Sequence, residues 1–507
     1  MELPTRSKRC YGPPVTETPA KSHALAALGA ACALVPALAM WGFTVDDALI
    51  SVRYAHNLVT GAGYRFDARG PSTDGVTPLP WAFILSPLAA ADPLTTLVRA
   101  KVLGILVWTL AGGALGARVA AMVGRAGGQR IQLALGASAL LVMGLAFPIG
   151  AWAGSGMETG LATALATLAV TRFGRPRQLA LLAGLASSLR PEMVVWALAV
   201  SVGSAVVERT RRDGEGEASA RSASAASQAK DYVAAAAIAV APFVICAAIR
   251  AVVFGRVAPL AVLAKPSDLA HGLIYAGAAV LVLLTPVLAL APLGLVKAPK
   301  IGMARVLVLA FVAHAAAVIG AGGDWMPYAR LMVPVAPSLV LAFVDVASKT
   351  RPMWSLLRVA VAAVFGAVVA RSAAPAGRNV HADRADLVAR ARPVLAGAKV
   401  VAALDVGWTS AATDARIMDL AGLTDPAIAL LAGGHTSKRV DTTMLLDRGV
   451  DTVIVYSELR AVETRILWSE LFGSRFEAVE RLPVGSRGEF YTVYRLRKEP
   501  LQSEPGL

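Results

Sequence analysis

Apolar runs close to the ~20 residues that an α-helix needs to cross a bilayer recur through the first three quarters of this chain, and that recurrence limits the fold more than any other feature. A chain with several such runs cannot hide them all in one water-soluble core, so a polytopic helical membrane protein is expected. Composition agrees: of 507 residues 56% are hydrophobic and only 16% charged. The net charge of +15 invites a nucleic-acid reading. The Lys and Arg residues fall in short loops between apolar runs rather than on one polar face, however, so the excess reads as an inner-face bias and no nucleic-acid partner is expected. Cys10, Cys32 and Cys246 have no ligand-like spacing, which supports neither a disulfide framework nor a zinc site.

Arg6, Lys8, Arg9 and Lys21 precede an apolar run from Ala24 to Phe43. The run exceeds a typical signal core and no small-residue cleavage pattern precedes Thr44, so it reads as a retained span behind a cytoplasmic tail of residues 1–23. From that anchor the basic residues assign later loops. Returning and outgoing spans are expected at about 99–117, 131–147 and 157–171, with Arg118, Arg125, Arg130, Arg172, Arg175 and Arg177 inside. Residues 178–207 are broken at Arg190-Pro191-Glu192 and read as two short spans. Further spans are expected at about 232–253, 272–296, 304–320, 329–346 and 354–370, giving about eleven across a transmembrane domain of residues 24–371. Residues 208–231, rich in Ala, Ser, Glu and Arg, read as a disordered cytoplasmic loop. Residues 44–98 form the first external loop. Residues 372–507 change to ordinary soluble composition, with strands expected at Val400–Leu404, Thr452–Tyr456, Phe476–Leu482 and Glu489–Arg497, so a small extracytoplasmic α/β domain follows.

This topology brings Asp46, Asp47, Arg53, His56, Asp74, Glu158, Glu192, Lys265, Asp324 and Arg330 to one external boundary. Ionisable groups at a membrane boundary carry a desolvation cost that packing alone rarely justifies, which marks them as candidates for function. Asp46 and Asp47 stand where the first apolar run ends; Thr44 and Asp47 also have capping-box spacing for an interfacial helix to about Thr60, so capping and chemistry both stay open. Arg53 and His56 lie three apart on that helix, on a phosphate-facing edge or snorkelling to headgroups. Glu158 sits in a glycine-rich loop, orienting a sugar hydroxyl or simply opening a helix. Lys265 is a point charge for a phosphate or a solvated surface group. Asp324, Trp325 and Arg330 place an acid, an aromatic ring and a guanidinium at the mouth of a span, as a binding site or as a salt-bridged corner.

The order Asp46-Asp47-Ala48 with Arg53-Tyr54-Ala55-His56-Asn57-Leu58, then Gly75-Val76-Thr77-Pro78-Leu79-Pro80-Trp81, Ser155-Gly156-Met157-Glu158, Arg190-Pro191-Glu192, Gly323-Asp324-Trp325-Met326-Pro327 with Arg330, and Asp419-Leu420-Ala421-Gly422-Leu423-Thr424-Asp425 resembles the polytopic GT-C glycosyltransferases. The likeness is to the group containing the mycobacterial terminal β-1,2-arabinofuranosyltransferase, and it spans nearly the whole chain. It implies inverting transfer of a sugar from a polyprenyl-phosphate donor to a cell-envelope glycan, lipid or protein at the outer face of the bacterial plasma membrane. It further implies a general base at Asp46 or Asp47 and phosphate contacts from Arg53, His56, Lys265 and Arg330. Glu158, Asp324 and Trp325 would then bind or position the sugar.

Departures are present: Leu260 stands where that group commonly carries Asn, and Asp74-Gly75-Val76-Thr77 where Glu-Gly-Tyr-Thr is usual, which points to a different sugar. No cofactor is called for, although Asp46 and Asp47 are compatible with a hydrated divalent metal. A lipid or glycan flippase is the rival class. The lack of an internal repeat and the placing of charge at one boundary disfavour alternating access. A scaffold reading explains the soluble domain but leaves the boundary acids idle.

Overall fold

The computed structural model describes residues 19–124, 129–214, 225–284, 302–486 and 488–499. Cys10, residues 215–224 of the expected 208–231 loop and the second half of the expected 272–296 span lie outside the described residues; the rest of that loop, expected to be disordered, continues the flanking helices.

The chain is mostly helical. Its first half comprises α1 (Pro19–Ala39), α2 (Asp46–Val59), α3 (Leu79–Leu85), α4 (Pro93–Gly124), α5 (Gln129–Leu145), α6 (Phe147–Ala153), α7 (Thr159–Thr171), α8 (Pro176–Leu189), α9 (Val194–Gly214) and α10 (Ala225–Phe254). After these come α11 (Leu260–Ala264), α12 (Leu269–Ala279), α13 (Met303–Gly320), α14 (Ser338–Ala347) and α15 (Pro352–Ala373). Among the described residues six helical stretches are long and apolar enough to cross a membrane, or seven if the α5–α6 pair, bent by 62°, counts as one broken span. The 13 residues of α7 and the 10 of α14 rise only ~20 and ~15 Å, short of the ~30 Å hydrocarbon core, so helix length alone does not reach the expected eleven spans. Small residues let helices approach closely here: Gly29 and Ala33 of α1 meet Gly112 of α4.

The C-terminal domain opens with α16 (Val380–Val394) and carries a five-stranded mixed sheet of order β2-β1-β3-β5-β4. β1 (Val400–Ala403) runs parallel to β2 (Arg416–Asp419) and β3 (Thr452–Tyr456), whereas β5 (Glu489–Leu496) is antiparallel to β3 and to β4 (Phe476–Val484). β2 is absent from the sequence reading because Ile417 is its sole β-branched residue and four residues leave little alternation to detect. Between β1 and β2 lies α17 (Val406–Ala412), whose residues are all buried.

The two halves share a core. Ile50 and Tyr54 of α2, with Phe66 and Val76, pack in one cluster with Leu404, Val406, Leu420 and Val453 of the C-terminal domain. α2 is therefore enclosed: Ala48 through Ala55 are all buried, unlike a helix lying in a lipid interface. It ends where Gly61, at φ +82°, turns the chain.

Candidate functional site

Helical periodicity gives α2 two different working faces, since residues three and four apart share a side and adjacent residues do not. Asp47, Ile50 and Ser51 face a cavity of about 280 Å³ that is also lined by Glu158, Arg190, Glu192, Lys265, Asp324 and Arg330. Six residues expected at the external boundary, Asp47, Glu158, Glu192, Lys265, Asp324 and Arg330, thus meet in one place. Asp46, Arg53, His56, Asp74 and Trp325 do not line it.

Asp46 faces the C-terminal domain. The N–H groups of Gly407 and Trp408, at the start of α17, donate to its Oδ2 at 2.7 Å and its Oδ1 at 2.8 Å. Burial, with help from Asp405, pushes its carboxyl up to about 7 against the opposing pull of Arg384 and the two amides. Asp46 thus does not line the cavity that Asp47 faces, and each of its oxygens accepts one N–H of the C-terminal domain. Among the described residues no group of three or more His, Cys, Asp or Glu is placed to hold a metal. The capping box is also replaced: Val45 is the N-cap residue, and the Thr44 hydroxyl donates instead to Ser155 O at 2.8 Å.

Arg53 and His56 line a different cavity, of about 740 Å³, between α2 and the C-terminal domain. Arg53 is buried and pairs with Asp414 at 3.2 Å while donating to Phe66 O, so it neither reaches the Asp47 cavity nor snorkels to headgroups. Trp325 stands outside the Asp47 cavity, next to Asp324. The residue is 64% exposed, and its ring stacks on His271 at 4.1 Å and lies 5.7 Å from His435 of the C-terminal domain.

Within the cavity most charges are already paired. Arg190 donates to Glu158 at 2.7 Å and to Glu192 at 2.8 Å, in a network whose Glu158 is fully buried. Glu158 Oε2 and Arg190 Nη2 have no hydrogen-bond partner among the described residues. Arg330 pairs with Asp324 at 2.7 Å and lies over the Trp152 ring. Burial alone raises the Asp324 carboxyl, but Arg330, Lys265 and Arg190 together outweigh it and hold the group below the usual carboxylate range. The salt-bridged corner is therefore real, and it forms part of the cavity wall. Tyr328 and Ala329, just before Arg330, both take positive φ (59° and 54°), a conformation costly for residues with a side chain. Trp152 Nε1 donates to Tyr328 O at 3.1 Å and the Phe43 and Phe147 rings pack on Tyr328, which hold that strained turn and aim Arg330.

Asp47 and Lys265 are different. Among the described residues neither has a hydrogen-bond or ion-pair partner, so the cavity holds one uncommitted acid and one uncommitted base.

The first external loop is fixed beside it. Asp74 accepts from Arg250 of α10 at 2.7 Å in a buried pair, and Arg250 also donates to Thr77 O. Tyr54 OH contacts Thr73 Oγ1 at 2.7 Å and accepts from the Gly75 N–H. Gly75 has to lack a side chain, because a Cβ there would come within 2.7 Å of both Tyr54 OH and Thr424. The Asp419–Asp425 segment supplies Leu423 to the cavity wall. Asp419 ties that loop by accepting from Ala421, Gly422 and Thr424, and its burial raises its carboxyl to about 6.

Glu192, expected at the external boundary, is joined in the site by Arg190, which by sequence marks mainly a break between spans. Charged residues within an apolar stretch were the available signal. No curated protein matches this chain. Residues 379–494, which make up most of the C-terminal domain, match a family described as a domain of unknown function (DUF8728).

Proposed function

We propose that this protein is an inverting glycosyltransferase that moves a sugar from a polyprenyl-phosphate donor to an envelope glycan, lipid or protein. In this reading about eleven spans cross the plasma membrane, with the C-terminal domain and the cavity on its outer side. The observation that carries it is that Asp47, without an ion-pair partner among the described residues, lines one small cavity together with Lys265 and Arg330. Its volume of about 280 Å³ lies just below the ~300–1,000 Å³ typical of ligand sites, which suits one sugar ring rather than a glycan chain.

The chemistry follows from those positions. A general base has to be free to accept a proton, and Asp47 is the acid in the cavity that spends neither oxygen on the protein. It takes the proton of the acceptor hydroxyl as that oxygen bonds to the anomeric carbon and the bond to phosphate breaks. Negative charge then grows on the departing polyprenyl phosphate, for which Lys265 supplies an uncommitted ammonium and Arg330 a second cation partly offset by Asp324. Glu158, Glu192 and Arg190 form a fixed polar wall, of which Glu192 is the most exposed and the one suited to a sugar hydroxyl. The four acids and three bases in the lining sum to −1, so a donor phosphate is held by the Lys265 side and not by the cavity as a whole.

The test is reconstitution in proteoliposomes with a polyprenyl-phosphate sugar labelled in the glycosyl group. Release of free polyprenyl phosphate together with a labelled glycan supports transfer. Movement of intact donor across the bilayer without bond cleavage would replace this reading with the flippase.

A further inference from the structure

Asp46 and Asp47 are covalent neighbours with opposite commitments: one grips the C-terminal domain, the other faces the cavity. We propose that Asp46 is a positioning residue through which docking of the C-terminal domain sets the first turn of α2, and with it the aim of Asp47. This rests on the reading of Asp47 as the base.

The contact has the build of a clamp. Both Asp46 oxygens are engaged, by two successive backbone amides, so the carboxylate is fixed in position and in rotation. Gly407 permits this approach, because a Cβ at that position would lie 2.0 Å from the Asp46 backbone oxygen. Behind the clamp, Asp405, the residue before α17, is held by Arg460 at 2.9 Å and by the Tyr491 hydroxyl of β5 at 2.7 Å, and Arg384 donates to that same hydroxyl. The grip on α2 is thus anchored in the sheet and not in a loose loop.

A second contact acts in the same direction. The Asp419-tied loop brings Leu423 into the cavity wall and Thr424 against Gly75. Without the C-terminal domain the cavity would lose one wall and α2 would lose the partner that holds its first turn. A misplacement of about 1 Å in a reacting group costs on the order of 10²-fold in rate, so a domain that holds this turn is part of the catalytic geometry even though Asp46 touches no substrate.

The experiment compares full-length wild type, Asp46→Ala, Gly407→Ala and Asp47→Asn in nanodiscs. It reads hydrogen exchange over residues 46–52 and 405–412, together with kcat and donor KM for a polyprenyl-phosphate sugar. Loss of both hydrogen bonds in Asp46→Ala is expected to speed exchange in both segments by at least about tenfold and to lower kcat by about 10²-fold, with donor KM unchanged. Gly407→Ala is expected to do the same. Unchanged exchange in Asp46→Ala, or faster exchange with kcat retained, overturns the proposal. If Asp47→Asn is fully active, the base reading fails, and the exchange result alone then decides whether the clamp exists. Should Asp46→Ala fail to fold, Asp46→Asn, which keeps one acceptor and turns an N–H₂ toward the second amide, takes its place.

Discussion

Asp47 and Lys265 line one cavity from distant parts of the chain, α2 and the turn after α11, and among the described residues each is without an ion-pair partner while the charged groups around them are matched. Lys265 acts on Asp324 only at longer range, and a ligand phosphate in this recess would bring it a closer partner. The pairing of Arg190 with Glu158 and Glu192, and of Arg330 with Asp324, makes the two exceptions informative.

Asp47→Asn is expected to fold and insert as wild type, since the carboxylate gives up no protein contact, and to lose transfer by about 10²–10⁴-fold, the usual contribution of a positioned base. Initial rates of transfer from a polyprenyl-phosphate sugar check this. A rate within twofold of wild type would remove Asp47 from the chemistry.

For the phosphate, Lys265→Ala is expected to weaken donor binding by at least about tenfold, whereas Lys265→Arg retains most of it because charge is preserved. Arg330→Ala is expected to weaken binding more than Arg330→Lys, but to cost stability as well: it leaves Asp324 buried without its partner and removes the cation over Trp152. Equilibrium binding of a polyprenyl phosphate, measured beside thermal unfolding, separates the two effects. Equal affinity in wild type and Lys265→Ala would assign that lysine to the solvated surface.

Much of this arrangement is legible in the chain and some of it is not, for physical reasons. The apolar runs announce the helices because a span length is a property of local sequence. Val400–Leu404 and Thr452–Tyr456 announce β1 and β3 because β-branched runs are local too. The choice between Asp46 and Asp47 is not local: it depends on where α17 docks, a contact made 361 residues away in the chain. Arg53 looks like a phosphate ligand by spacing, yet its partner Asp414 is equally distant in sequence. The turn at Tyr328 and Ala329 has no sequence signal, since neither residue type favours positive φ and the surrounding rings impose it.

Arg190 anchors the cavity wall, and its removal is expected to be costly. In Arg190→Ala, Glu158 remains fully buried with no cation, a situation that typically costs ~3–5 kcal/mol, whereas replacing both partners by apolar residues of similar volume costs far less. Thermal unfolding in detergent should therefore place Arg190→Met/Glu158→Leu above Arg190→Ala, although both lack activity. The reverse order would mean that the pair is not energetically coupled.

His435 gives the loop beside Trp325 a pH dependence with a definite sign. Burial, and next the positive charge of Lys265, lower its pKa to about 4 in the folded protein, against ~6.5 for a free imidazole. The folded state therefore binds fewer protons than the undocked state between those values. The stabilisation that His435 gives to its loop against Trp325 is fully present above pH ~6.5, declines below it and is gone once pH falls through about 4. Hydrogen exchange over residues 433–437, corrected for intrinsic rates, should accelerate between pH 7 and pH 5 in wild type and stay level in His435→Phe, which keeps a ring beside Trp325 but cannot be protonated. An equal response in both proteins would show that the loop senses some other group.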